Sequence, residues 1–447
     1  RAVLLQTAAM STEVVLTFNA ADWTADDDGN TMAVKVYRVG SDGVELANPA
    51  GTYGDYEVSD ADADGINDTL TVHNLRNASK ECGESLLVIV SNLSLTTFNT
   101  FSLTAKSESI LDIPEAAVLS EYVNACDPSY SFKVRNTLPV PAQGVTVYVL
   151  EMTSGVWRGD QEVDQPTWRH FLTMVEPANV TSQTGMLLVS GGSTGSEPSE
   201  DEASLLIPFA KNSGSIVALM QAVPNEPLVF LEEGVSRTED AIIAYSYSKY
   251  MDSFEKGVTD MTWPLLLPMT RSAVRGMDTI QNYMATKPSG THTVDKFVVV
   301  GASKRGWTTW LTAAADPRVT AIVPIVIDVL SMEKQMSHQL NAYSSYAYDD
   351  PVNKIYHGYS SAVQDYVKMN VFQRFGTAES RSLLRIVDPL TYRNILTMPK
   401  LISNSTGDQF FLPDSSKFYL DQMLGDNYVH YAPNTDHSLT AGLAFDH

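Results

Sequence analysis

Over the first 112 residues, apolar and polar positions alternate in short runs such as Glu13–Phe18, Met32–Tyr37, Thr69–His73 and Leu86–Val90, separated by Asp, Gly and Asn turns. Alternation with period two places one face of each run against a core, which predicts antiparallel strands and an all-β, sandwich-like domain over 1–112. After Ile113-Pro114 the pattern changes. Val145–Leu150 and Arg169–Val175 read as an antiparallel pair. Compact apolar runs follow at Met186–Ser190, Ser215–Met220, Phe297–Val300, Ala321–Ile327, Lys400–Ser403 and Tyr428–Tyr431. Helical periodicity fills the gaps at Glu239–Met251, Thr270–Thr286, Trp307–Ala315 and Ser415–Met423. Strands alternating with helices predict an α/β domain over 113–447, a mainly parallel sheet with helices on both faces. A polar, Tyr-rich insertion interrupts it at about 331–390. Its Tyr343, Tyr346, Tyr348, Tyr356 and Tyr359 suit either a lid over a cleft or a packed helical cap.

The strand Phe297–Val300 runs through Gly301 and Ala302 to Ser303, and helical periodicity resumes at once. A serine at a sharp strand-to-helix corner is the geometry of a nucleophile elbow. The second glycine of the usual Gly-x-Ser-x-Gly pattern comes one place late, at Gly306, with Arg305 in its position. A serine hydroxyl needs a base, and the base needs an acid to hold its tautomer. In α/β-hydrolases these follow in the order Ser, Asp or Glu, His. Asp408 follows the Lys400 strand and His437 follows the last strand, so all three stand at strand ends, with Asp328 as a rival acid. The oxyanion donors expected are the backbone N–H of Lys304 and that of Gly192 or Ser193, in the glycine loop after Met186–Ser190. Arg305 is expected at the oxyanion, at a substrate carboxylate or in a surface ion pair.

In the first domain Asp60, Asp62, Asp64 and Asp68 surround Gly65. Carboxylates on alternate residues beside a glycine wrap a hard cation, so the expectation is a structural calcium loop or a solvated acidic turn. No cofactor is expected for catalysis. Cys82 and Cys126 are the only cysteines and are expected as a disulfide joining the two domains. A formal charge of −23 argues against nucleic acid or an anionic membrane as partner, and no apolar run is long enough for a membrane span. A chain starting at Arg1, with sequons at Asn67, Asn77, Asn92, Asn179 and Asn404, fits a processed protein that is secreted or periplasmic.

Further motifs run from about Leu119 to the C-terminus: Asp127-Pro-Ser-Tyr-Ser, Thr153–Arg158 with Trp157, Pro166-Thr-Trp-Arg-His170, Val223–Phe230, Arg237–Tyr245, Trp263–Thr270 and Gly301–Trp310. In these the sequence resembles the PhoPQ-activated pathogenicity-related proteins, a family that looks like α/β-hydrolases akin to serine peptidases of the dipeptidyl-peptidase type. The resemblance implies Ser303, Asp408 and His437 as a triad. It also raises Glu239 and Asp240 as an acidic pair for a substrate amine, against the alternative of a solvated helix N-terminus. The expected function is therefore a serine hydrolase of peptidase or aminopeptidase type acting on a peptide. The alternatives are a carboxylic-ester hydrolase of the glucuronoyl-esterase kind acting on an ester, or a signalling or binding protein on a hydrolase scaffold.

Overall fold

The computed structural model describes residues 2–5, 13–19, 33–40, 43–46, 56–59, 69–73, 85–91, 102–106, 114–287, 293–343 and 355–439. The chain divides into two compact units, 1–112 with 124–128, and the remainder. In the first unit, Ala2–Leu5, Ser85–Ser91, Ala33–Gly40 and Gly43–Leu46 form one antiparallel sheet. Tyr56–Ser59, Thr69–His73, Glu13–Asn19 and Ser102–Lys106 form another. The packing of the predicted sandwich involves side chains outside the described residues.

The second unit is built on one nine-stranded sheet. Its strands, numbered in chain order, are β1 (Ser131–Val140), β2 (Val145–Val156), β3 (Thr167–Pro177), β4 (Thr184–Val189), β5 (Val217–Met220), β6 (Lys296–Ala302), β7 (Val319–Ile325), β8 (Lys400–Ser405) and β9 (Asn427–Ala432). They lie in the order β1-β2-β3-β5-β4-β6-β7-β8-β9. From β5 to β9 every pairing is parallel, and β1 to β3 add an antiparallel flank. This is an α/β-hydrolase-like, mostly parallel sheet.

Helices cover both faces because the strands are apolar on both. Alternate residues of β2 divide between them. Val145 and Val147 join Val175, Val217 and Leu219 beneath Leu206, Ile207 and Ala210 of α2 (Glu200–Ser213). Tyr148 and Met152 turn the other way to α4 (Leu266–Ala285), meeting the Tyr283 ring and the Thr279 hydroxyl. Beside α4 lies α5 (Lys304–Ala315), buried nearly all round. Its Thr308, Thr309 and Thr312 are tolerated there because each hydroxyl donates to the carbonyl four residues earlier, at 3.0, 2.9 and 2.7 Å.

The remaining helices are α1 (Pro114–Asn124), α3 (Asp240–Glu255), α6 (Met332–Tyr343), α7 (Gln364–Lys368) and α8 (Ala378–Val387). The last three belong to the Tyr-rich insertion, which is a packed helical cap in its described part, with α3 against α7 and α8. Tyr346 and Tyr348 lie outside the described residues. The helix predicted at Ser415–Met423 is instead two 3₁₀ turns, Ser415–Phe418 and Leu420–Gln422, broken at Tyr419 (φ −143°). Tyr419, at the break, is fully buried and its hydroxyl donates to Asp328.

Candidate active site

β6 ends at Ala302 and α5 begins at Lys304, which leaves Ser303 alone at the corner with φ +56° and ψ −130°. A positive φ is strained for a residue with a Cβ and persists only where its surroundings enforce it. Here the Ser303 N–H donates to the Ile325 carbonyl at 2.8 Å and its carbonyl accepts from Trp307 N–H at 3.1 Å. Two glycines let helix and strand close on each other. A Cβ on Gly301 would collide with the Arg305 carbonyl. One on Gly306 would lie 2.9 Å from the Gly301 carbonyl oxygen and 2.6 Å from the Ile327 side chain. The late glycine is therefore the one this corner needs.

The imidazole and carboxylate come from the loops after β9 and β8. His437 Nε2 lies 2.9 Å from Ser303 Oγ, and its Nδ1 lies 2.9 Å from both Asp408 oxygens. Asp408 also accepts from the Phe410 N–H at 2.8 Å. The two loops are zipped together. Gly407 N–H donates to the Thr435 carbonyl at 2.9 Å, Asn434 N–H to Thr406 Oγ1 at 2.9 Å, and His437 N–H to Gln409 Oε1 at 2.9 Å. Asp328, the rival acid, is buried elsewhere and accepts from Asn404 at 2.9 Å and from Tyr419. Burial raises its pKa to about 6.

Beneath the elbow sits a knot of charge. The Arg305 guanidinium holds Glu239 at 2.7 and 2.8 Å and donates to the Val223 carbonyl at 2.5 Å. It fits because Gly191 has no side chain, since a Cβ there would lie 2.5 Å from Arg305 Nη2. Lys304 Nζ meets Glu239 at 2.5 Å and Asp240 at 3.0 Å. Burial alone would lower the Lys304 pKa, but Asp240 and Glu239 outweigh it and raise it. Burial likewise opposes ionisation of Glu239, yet Arg305 and Lys304 carry its pKa well below the ordinary carboxylate range. Buried Glu226 accepts from the Glu239 N–H at 2.6 Å, and burial followed by the Glu239 charge pushes its pKa up. The loop 190–194 is laced to 222–226 by Ala222 N–H to Gly191 carbonyl at 2.9 Å and Thr194 N–H to Glu226 carbonyl at 2.8 Å. Among the described residues no acceptor meets the N–H of Gly192 or Ser193.

Ser303 opens on an apolar pocket of about 30 Å³, lined by Ile327, Met332, Met336, Tyr366, Phe410 and Phe411 among others. The Phe410 ring also lies against His437, with centroids 4.3 Å apart.

The family model of the PhoPQ-activated pathogenicity-related proteins matches residues 119–445. The chain belongs to that family. Autocrine proliferation repressor protein A of Dictyostelium discoideum is 34% identical over 325 residues, covering 72% of this chain and 61% of that protein. Among solved structures, acetyl xylan esterase 1 from Thermoanaerobacterium sp. JW/SL YS485 is similar with TM-score 0.45 and 16% identity, over 71% of this chain and 88% of that one. The acetyl xylan esterase from Paenibacillus sp. R4 gives 0.46 and 13%, over 73% and 88%.

In this PhoPQ-related chain several expected residues stand differently from the sequence reading. Glu239 and Asp240 stand at the N-terminus of α3, with Glu239 partly exposed, and are paired with Lys304, Arg305 and the Tyr366 hydroxyl (2.8 Å) rather than left as a free acidic pair. Of the readings for Arg305, the structure has the ion pair, with Glu239, although the guanidinium itself is buried. Asn404 is buried against Asp328, which removes it as a glycan acceptor. Asp60, Asp62, Asp64, Asp68 and Cys82 lie outside the described residues, so the calcium loop and the pairing of Cys82 with Cys126 stay expectations. A second Ser–His contact, Ser154 Oγ to His170 Nε2 at 2.8 Å, was not singled out from the sequence. It is fully buried, and His170 Nδ1 faces the Gln221 carbonyl at 3.0 Å rather than a carboxylate. The apolar pair Phe410-Phe411 in an otherwise polar loop was the available signal for the pocket.

Proposed function

We propose that this protein is a serine hydrolase that cleaves small carboxylic esters by acyl transfer. The observation that carries this is the unbroken chain Ser303 Oγ to His437 Nε2, and His437 Nδ1 to Asp408, each at 2.9 Å. Asp408 holds the imidazole with its proton on Nδ1, which leaves Nε2 free to accept the serine proton. Ser303 Oγ then attacks the ester carbonyl. The oxyanion that forms is met by the N–H of Lys304, in the first turn of α5 where no helical carbonyl claims it, and by the N–H of Gly192 or Ser193. His437 returns the proton to the departing alkoxide, leaving an acyl-serine. Water, deprotonated by the same imidazole, releases the acid and restores Ser303.

Two features favour an ester over a free-amino peptide. The acidic pair that would anchor an amine is already neutralised by Lys304 and Arg305. The pocket beside Ser303 is apolar and about 30 Å³, which suits a short acyl group. The name of the Dictyostelium relative, an autocrine repressor, supports action outside the cell. Since the chain spans 61% of that protein, a share in its role is part of the proposal.

A fluorophosphonate probe is expected to label the native protein and to lose all labelling in Ser303→Ala. Hydrolysis of p-nitrophenyl acetate is expected to exceed that of the hexanoate and of dipeptidyl amides. Absence of native labelling sinks the hydrolase assignment, and a preference for dipeptidyl amides sinks the ester assignment alone.

A further inference from the structure

On the side of α6 turned away from the candidate active site lies an open cleft of about 870 Å³ between α6 and α8. Met332 and Met336 of α6 line the pocket at Ser303, whereas Lys334, Ser337 and His338 line this cleft. Five lysines and arginines line it: Lys334, Arg381, Arg385, Arg393 and Lys417. The chain carries only 30 such residues against 53 carboxylates, so their gathering in one cleft runs against the charge of the whole.

The local carboxylates cancel two of the five and leave three unpaired among the described residues. Asp388 is buried at the floor, where it accepts from the N–H groups of Ser331, Met332 and Leu390 at 3.1, 3.0 and 2.9 Å. Arg385 pairs with Glu115 at 3.1 Å, and Lys417 and His338 share Asp414 at 2.6 and 2.9 Å. Glu333 also borders the cleft, with no ion pair among the described residues. Lys334, Arg381 and Arg393 are exposed and meet no carboxylate among the described residues. Their placement is linear: Lys334 and His338 stand four residues apart on α6, as Arg381 and Arg385 do on α8. Four helical residues rise about 6 Å, so each row pairs one unpaired cation, Lys334 or Arg381, with a polar side chain already held by a carboxylate, His338 or Arg385, at that interval.

We propose that this cleft binds a linear acidic oligosaccharide, its carboxylate or sulfate groups meeting the two rows while Ser337 and Thr391 face its hydroxyls. A single-stranded nucleic acid has a similar charge spacing but needs aromatic faces on which bases stack. Among the described lining residues the cleft has a single Phe, Tyr or Trp ring, Phe418, with the His338 ring edge-on to it at 5.2 Å, so no series of stacking faces runs along it.

The test is calorimetric titration of the full chain at low salt with an oligogalacturonate hexamer, a heparin hexasaccharide and a hexanucleotide. At least one saccharide is expected to bind at one site, and the stronger of the two names the anionic group. The triple variant Lys334→Glu, Arg381→Glu, Arg393→Glu is expected to weaken it by about tenfold or more, with a shallower salt dependence. Ser337→Trp, which fills the cleft without altering charge, is expected to weaken it as well. Lys211→Glu, on the exposed surface of α2, is expected to leave it unchanged. The proposal is overturned if neither saccharide binds, if the triple variant binds like the native protein, if Lys211→Glu weakens binding equally, or if the hexanucleotide binds as tightly.

Discussion

At Ser303 the hydroxyl, imidazole and carboxylate are joined by contacts of 2.9 Å, while a second carboxylate, Asp328, lies three residues past the end of β7 and binds Asn404 and Tyr419 instead. This separates the two aspartates experimentally. Asp408→Asn reverses the hydrogen bond that sets the His437 tautomer, and kcat is expected to fall by about 10⁴. Asp328→Asn keeps a neutral partner for Tyr419 and Asn404, and kcat is expected to stay within about tenfold. Equal losses in the two variants refute the assignment of Asp408. Ser303, Asp408 and His437 could be proposed from the sequence because each follows a run read as a strand of the parallel sheet. The fate of Arg305 was not, since its partners Val223 and Glu239 stand 82 and 66 residues away and only the folded sheet brings them together. The pocket residues Met332 and Met336 were equally hidden, because a helical period does not tell which apolar face meets a core and which meets a substrate.

The elements that the sequence revealed best are the central strands, buried on both faces and so apolar throughout. Those it hid have local reasons. β1 is an edge strand with almost every residue exposed, so it carries no alternation to read. α2 contains Pro208, which in a sequence reads as a break. Near Tyr419 a buried hydrogen bond prevails over helical periodicity. Gly306 shows the opposite case, a departure from the usual motif that the packing of α5 requires. Gly306→Ala places a methyl 2.6 Å from Ile327 and 2.9 Å from the Gly301 carbonyl. It is expected to destabilise the protein by about 1–3 kcal/mol, measured by urea unfolding, and to lower kcat by shifting Ser303. A stable and fully active variant contradicts this account of the corner.

Across the whole molecule, stability carries a pH signature from the buried Ser154–His170 contact. Burial, opposed only in part by the Gln221 and Ala222 backbone, lowers the His170 pKa to about 4. The folded form therefore binds fewer protons than the unfolded chain at mildly acid pH. Its contribution is present above the ordinary histidine pKa of about 6.5 and is lost as pH falls toward 4. The difference amounts to something on the order of 3 kcal/mol. Buried Asp328 and Asp388, raised to about 6, act in the opposite sense over the same interval. They are common to both proteins when native is compared with His170→Gln, so the comparison isolates the imidazole. Tm of the native protein is expected to fall more steeply between pH 6.5 and 4 than that of the variant. Parallel Tm profiles would exclude His170 as the source.

The lacing of Gly407 to Thr435 and of His437 to Gln409 ties the base and its acid into a single lip at the sheet's outer edge. Loosening that margin withdraws both groups at once and leaves the nucleophile standing on an intact scaffold. Gentle warming should then silence turnover in one step while far-ultraviolet circular dichroism stays flat, and cooling should restore it just as abruptly.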